Sequence, residues 1–275
     1  MNKIGGPRSQ PQSRSYLAAL WHRREFAIAL AFGNLKARHA ATSLGIVWWV
    51  LNPLLFGAVY FLVFGLIFGG ARRSVDYLPY LLSGLFAFNY TTASMTGAVN
   101  SILSNDKLLV NLQFPRLILP LAALVEAAVG FMASMVAYYV IVAPTLGVYP
   151  TLQTLMLPAI FVLHTGFNLG LAAVAARLVI PFRDVKNLIP IAVRLWFYLS
   201  PVLWPIAFLD NIPHAMQLVV KANPIFPLLV LYRSALVGAP IEVENLAFAT
   251  VWAVVLGTVG VILFVRHEDQ IARYL

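Results

Sequence analysis

The sequence predicts an all-α integral membrane protein with six transmembrane helices, an N-terminal amphipathic interface helix and re-entrant outer helices between spans five and six. Three observations carry that expectation. Apolar residues make up 61% of the 275 residues and charged ones only 11%, against about 45–50% and about 25% in soluble domains, and the mean hydropathy is +0.83. Six windows reach the roughly 20 residues a helix needs to cross a bilayer. Positive charge is also unevenly placed. With both termini on one side, 14 Lys and Arg lie on that side, against Arg72, Arg73, Lys221 and Arg233 on the other. The positive-inside rule then puts the termini in the cytoplasm. The net charge of +9 therefore reads as topology and attraction to anionic lipid, not as nucleic-acid binding.

Taken in order, residues 1–13 read as a disordered tail, rich in Gly, Pro, Ser and Gln. Residues 14–44 form the interface helix, with Leu17, Leu20, Trp21 and Ile28 on one face and Arg23, Arg24, Lys36 and Arg38 supplying basic positions. It either anchors the N-terminus in the inner leaflet or offers its cations to an anionic lipid head. The six-span domain covers 45–265, with windows at 45–69, 77–103, 117–142, 153–176, 188–209 and 246–265, and residues 266–275 form a cytoplasmic tail. Asn52 and Pro53 permit a kink in the first span, and Pro190, Pro201 and Pro205 interrupt the fifth. The Asn89, Tyr90, Thr91 glycosylation match lies in an apolar span and is fortuitous. GLIFG at 65–69 and GFNLG at 166–170 permit close helix contact. Between 204 and 245, apolar segments broken by proline are too short to cross twice, and must re-enter the protein or lie at the interface.

Glu126, His164 and Arg194 are the ionisable groups inside spans, where charge is expensive unless paired or hydrated. Glu126 and Arg194 either pair with each other or leave Arg194 to an anion path, and His164 reads as a hydrogen-bonded interior histidine. Between spans two and three, NDKLLVNLQFPRLILP is too polar for either span. Asn105 and Asp106 are N-cap types, Leu108, Leu109 and Leu112 share a face, and Pro115 ends the turn. The segment is either a short amphipathic docking helix or an exposed loop.

Three stretches, REFAIALAFGNLKARHAATSLGIVWWVLNPLLFGAVYFLVFG, SILSNDKLLVNLQFPRLILPLA and RDVKNLIPIAVRLWFYLSPVLWP followed by ANPIFPLLVLYRSALVG, resemble in order the permeases of ABC-2 type polysaccharide exporters, which move O-antigen, capsule, teichoic acid or lipid-linked galactan. The resemblance spans about residues 24–238, and it departs at Gly33 and Asn34, where an Arg-Asp type pair is more usual, and at His39. It implies that Asn105, Asp106, Lys107, Leu108, Leu109, Phe114, Pro115 and Arg116 couple to a separate ATPase. It further implies that Arg23, Arg24, Lys36, Arg38 and Arg194 meet the diphosphate of a polyprenyl-linked glycan. Tyr60, Phe61, Phe64, Tyr77, Phe88, Tyr90, Trp196, Phe197 and Tyr198 would ring a glycan channel, although such residues equally suit an interfacial belt. The implied assembly is a homodimer with two ATPase subunits, which hold ATP and Mg, in a bacterial inner membrane.

The chain has no cysteine and no G-x-x-x-x-G-K-[ST], H-E-x-x-H or G-x-S-x-G, so no catalytic set, metal site or cofactor is expected in it. Two other classes compete. An ion-coupled secondary transporter calls for several intramembrane ionisable groups and repeated spans, and an intramembrane enzyme for paired carboxylates or His ligands.

Overall fold

The computed structural model describes residues 13–39, 44, 47–60, 62–63, 74–105 and 114–268, and among them all regular secondary structure is helical. Ten α-helices follow in order: α1 Ser13–His22, α2 Arg24–His39, α3 Trp48–Tyr60, α4 Ser74–Ser104, α5 Ile118–Leu146, α6 Leu157–Val179, α7 Val185–Leu199, α8 His214–Lys221, α9 Phe226–Val237 and α10 Val243–Arg266. Short 3-10 helices lie at Leu152–Met156 and Ile206–Asn211. Three helical segments, Ile118–Ala143, Leu152–Val179 and Val243–Arg266, are long and apolar enough to cross a membrane; α8 and α9, bent by 77°, pass together as a fourth. The protein is an integral membrane protein. The first window extends past α3 into residues 61 and 64–69, which lie outside the described residues, as does the GLIFG pattern.

Two helix boundaries differ from the sequence expectation. The interface segment, expected as one helix after residue 13, starts at Ser13 and breaks at Arg23 into α1 and α2. No glycine or proline marks that break; instead Arg24 Nη1 donates to Trp21 O at 3.2 Å with its guanidinium 4.7 Å from the Trp21 ring centre. The fifth window is not a continuous helix. α7 runs through Pro190 and stops at Leu199, with Ser200 extended. Its 15 residues give a length of about 22 Å, less than the roughly 30 Å hydrocarbon core. Pro190 removes one ladder bond, whereas Pro201 and Pro205 close the helix off.

The core is built around α4, which packs on α5, α6, α7 and α9. The closest contact joins α6 to α10 through glycines: a Cβ on Gly170 would lie 2.1 Å from Leu256 O, and one on Gly260 2.3 Å from Gly170 O. The pattern at 166–170 is thus a backbone-to-backbone contact. α9 is buried at every residue from 226 to 236 except Val230.

The non-helical turn after α7 is held by side chains, as backbone in an apolar surrounding requires. Tyr77 Oη donates to Leu203 O at 2.8 Å, and Tyr80 Oη reaches Trp204 O at 2.9 Å and Pro201 O at 3.3 Å. Arg233 of α9, 7% exposed, donates through Nη2 to Pro201 O and Val202 O, and its guanidinium lies 3.5 Å from the Tyr80 ring centre. Gly84 makes room for it, since a Cβ there would meet Nη2 at 2.6 Å.

Candidate functional site

A cavity of about 910 Å³ opens between α2, α3, α4, α5 and α7. Its most ordered wall is a face of α4. Asn89, Thr92, Thr96 and Asn100 recur at spacings of three, four and four, which on a 3.6-residue helix aligns them in one stripe about 16 Å long. Thr92 and Thr96 turn their hydroxyl protons back to Phe88 O and Thr92 O at 3.1 and 2.7 Å, so their oxygen lone pairs remain acceptors for whatever fills the space. Asn89, Ala93 and Asn100 are exposed in the single chain.

Aromatic rings back this stripe. Phe88, Tyr90, Phe197 and Tyr198 all line the cavity. Tyr90 stacks on Phe131 with centroids 5.0 Å apart, and Phe88 meets Phe197 edge-on at 5.2 Å. Trp196 lies behind Phe88, donating to Asn223 Oδ1 at 2.8 Å, and Tyr77 is engaged with the Leu203 carbonyl. The side chain of Tyr60, and residues Phe61 and Phe64, fall outside the description.

Glu126 and Arg194 share this cavity, and Arg194 is the one cationic side chain on its wall among the described residues. The two were expected either to pair or to leave Arg194 to an anion path. Glu126, 8% exposed, accepts from Asn34 Nδ2 at 2.7 Å, which ties α2 to α5; Arg194 is exposed to the cavity. Arg23, at the break between α1 and α2, and Arg24 and Lys36 on α2 are exposed, and the side chain of Arg38 is outside the description. His164 is fully buried away from the cavity, sharing hydrogen bonds with Thr91 Oγ1 at 2.8 Å and Tyr232 Oη at 3.4 Å. It joins α4, α6 and α9.

A second cluster surrounds the segment between α4 and α5, of which Asn105, Phe114, Pro115 and Arg116 are described, while Asp106, Lys107, Leu108 and Leu109 are not. Asn105 Nδ2 donates to Ser101 O at 2.9 Å, closing the end of α4. Phe114 meets Phe26 of α2 edge-on at 6.0 Å. Arg116 N donates to Glu268 Oε1 at 2.6 Å, and Arg116 Nη1 to Glu268 O at 2.5 Å. Tyr16 is buried beside them, and its phenol is pushed up by burial and then by the Glu268 carboxylate.

Sequence reasoning missed the α4 stripe, Asn34 and Glu268. The stripe had a signal, polar residues at helical spacing inside an apolar window; Asn34 showed only as a departure from the family pattern, and Glu268 had none.

The family profile described as ABC-2 type transporter matches residues 27–237. The chain is 27% identical over 253 residues to the O-antigen export system permease protein RfbA of Myxococcus xanthus. It is 24% and 23% identical over 252 residues to two proteins of that name from Klebsiella pneumoniae. Each alignment covers 91% of this chain and 95% of the relative.

Proposed function

Because this chain belongs to the ABC-2 type transporter family, we propose that it is the transmembrane subunit of an ATP-driven exporter that carries a polyprenyl-diphosphate-linked polysaccharide out of the cytoplasm. The observation that carries the reading is the cavity: a stripe of amides and hydroxyls against aromatic rings, with Arg194 on its wall. Amides and hydroxyls match the hydroxyls of a sugar chain, and rings offer flat apolar faces to its C–H surfaces. The names of the relatives, O-antigen export permeases, support a substrate of O-antigen, teichoic acid or galactan type.

In this reading the protein lies in the bacterial inner membrane with six spans, both termini cytoplasmic, and α8 and α9 form the re-entrant outer pair. Two copies form the channel. The exposed Asn89 and Asn100 support this, since amides facing hydrocarbon are costly and a second copy or water would cover them. ATP and Mg belong to two partner ATPase subunits seated on the segment between α4 and α5. The chain itself performs no catalysis.

Two measurements test this. The purified protein is expected to co-purify with a P-loop ATPase, and cells depleted of it to retain lipid-linked glycan inside; substrate flux driven by a proton gradient without ATP would overturn the reading. The second concerns Arg194, whose forked donors suit a diphosphate. Arg194→Ala is expected to lower export at least about tenfold with the complex still assembled, as loss of a charge-assisted contact implies. Arg194→Lys falls between, and the swap of Arg194→Glu with Glu126→Arg fails to restore transport. Restored transport in the swapped pair would reduce Arg194 to a counter-ion.

A further inference from the structure

We propose that Glu268 is a positioning residue for the coupling segment: it holds Arg116, at the entry to α5, from 152 positions away and makes the segment after α10 part of the coupling machinery. The inference rests on the reading of 105–116 as the ATPase-docking segment. At the start of α5 the N-cap residue Leu117 makes no side-chain hydrogen bond, and the amides of Ile118, Leu119 and Leu121 bond back to the carbonyls of Pro115, Arg116 and Leu117. The Arg116 amide stands just ahead of this turn, beside the partial positive charge of the helix start, which favours a carboxylate there. Glu268 accepts from Arg116 N at 2.6 Å, and the Arg116 guanidinium returns a bond to the Glu268 carbonyl at 2.5 Å. Two residues 152 positions apart are thereby joined in a reciprocal pair, both bonds of which are charge-assisted.

The surroundings hold that pair in one geometry. Leu117, Tyr16 and Phe264 are buried in one apolar cluster at 2%, 7% and 0% exposure, with Phe114 and Val265 packed against it. The point where the coupling segment enters α5 is thus gripped by α1, by α2 through Phe26, and by the end of α10. An entry to α5 held only by its own helix would give way when an ATPase pushed on it. This one is tied to α10, whose backbone is in turn locked against α6.

The test compares E268A, E268Q and F114A in cells where each replaces the native copy. The readouts are the fraction of the cell's own lipid-linked glycan retained inside, ATP hydrolysis by the purified complex, and co-purification with the ATPase. E268A is expected to cut export at least about tenfold, the scale of one charge-assisted hydrogen bond, while the complex still assembles and hydrolyses ATP. E268Q keeps the acceptor oxygen and exports within about twofold of the native protein. Equal losses in E268A and E268Q, or loss of ATPase binding in E268A, would overturn the inference. Normal export in E268A with impaired export in F114A would overturn it alone, leaving the coupling reading intact. Normal export in both would overturn the coupling reading together with it.

Discussion

Arg233→Met in the purified protein is expected to lower its stability by about 3 kcal/mol, since at least one charge-assisted hydrogen bond is lost and buried carbonyls are left short of donors. Methionine matches much of the volume and none of the hydrogen bonds. The carbonyl of Val202 loses its Arg233 donor, and that of Pro201 keeps only the longer bond from Tyr80. The stacking of guanidinium on the Tyr80 ring goes as well. Arg233→Lys is expected to recover little, because a single ammonium cannot both stack on Tyr80 and serve two adjacent carbonyls. Thermal unfolding in detergent reads the loss. Thiol labelling of a Leu203→Cys variant, at a position only 8% exposed, reads the loosening of the turn in a chain with no other cysteine. An unchanged melting temperature in Arg233→Met would mean that the turn is held without it.

The second large effect is at Gly170. A methyl group there meets the backbone carbonyl of Leu256 at 2.1 Å, and backbone, unlike a side chain, has no rotamer by which to yield. Gly170→Ala must therefore drive α6 and α10 apart, at a cost near the top of the roughly 1–3 kcal/mol range for overpacking; Gly260→Ala behaves alike, for the reciprocal reason. Gly33→Ala is the control. A Cβ at Gly33 has nothing within 4 Å, so the exchange gains about 0.5–1 kcal/mol of helix propensity. If Gly170→Ala gives native yield and melting temperature, the close contact of α6 and α10 is absent in the membrane.

Legibility followed what a linear reading registers. Uninterrupted apolar windows announced α5, α6 and α10 to within a few residues, and the resemblance in three ordered motifs announced the family. Hydropathy averages along a helix and not around it, so the face of α4 that carries Asn89, Thr92, Thr96 and Asn100 went unread although its spacing was visible. Sequence alone gives Pro190, Pro201 and Pro205 equal weight, yet a helix absorbs the loss of one bond at Pro190 and ends before the closely spaced pair. The anchors were illegible for another reason. Arg233 binds backbone carbonyls, which every residue possesses and no sequence distinguishes, and Glu268 finds its partner 152 positions away. Asn34 showed only as a departure from the family pattern, and its use emerged once α2 lay against α5.

The composition of α4 also bears on how the chain is made. Its 31 residues include Ser83, Thr91 and Ser94, all buried at 0%, besides the amides that face the cavity. A nascent helix is sorted between water and lipid by its own side chains, before its neighbours exist. α4 is poorly suited to leave the translocon alone, for Thr91 finds His164 and Tyr90 finds Thr165 only after α6 has been synthesised. The expected consequence is that α4 stays at the translocon until α5 and α6 arrive, which crosslinking of arrested nascent chains to the translocon would check.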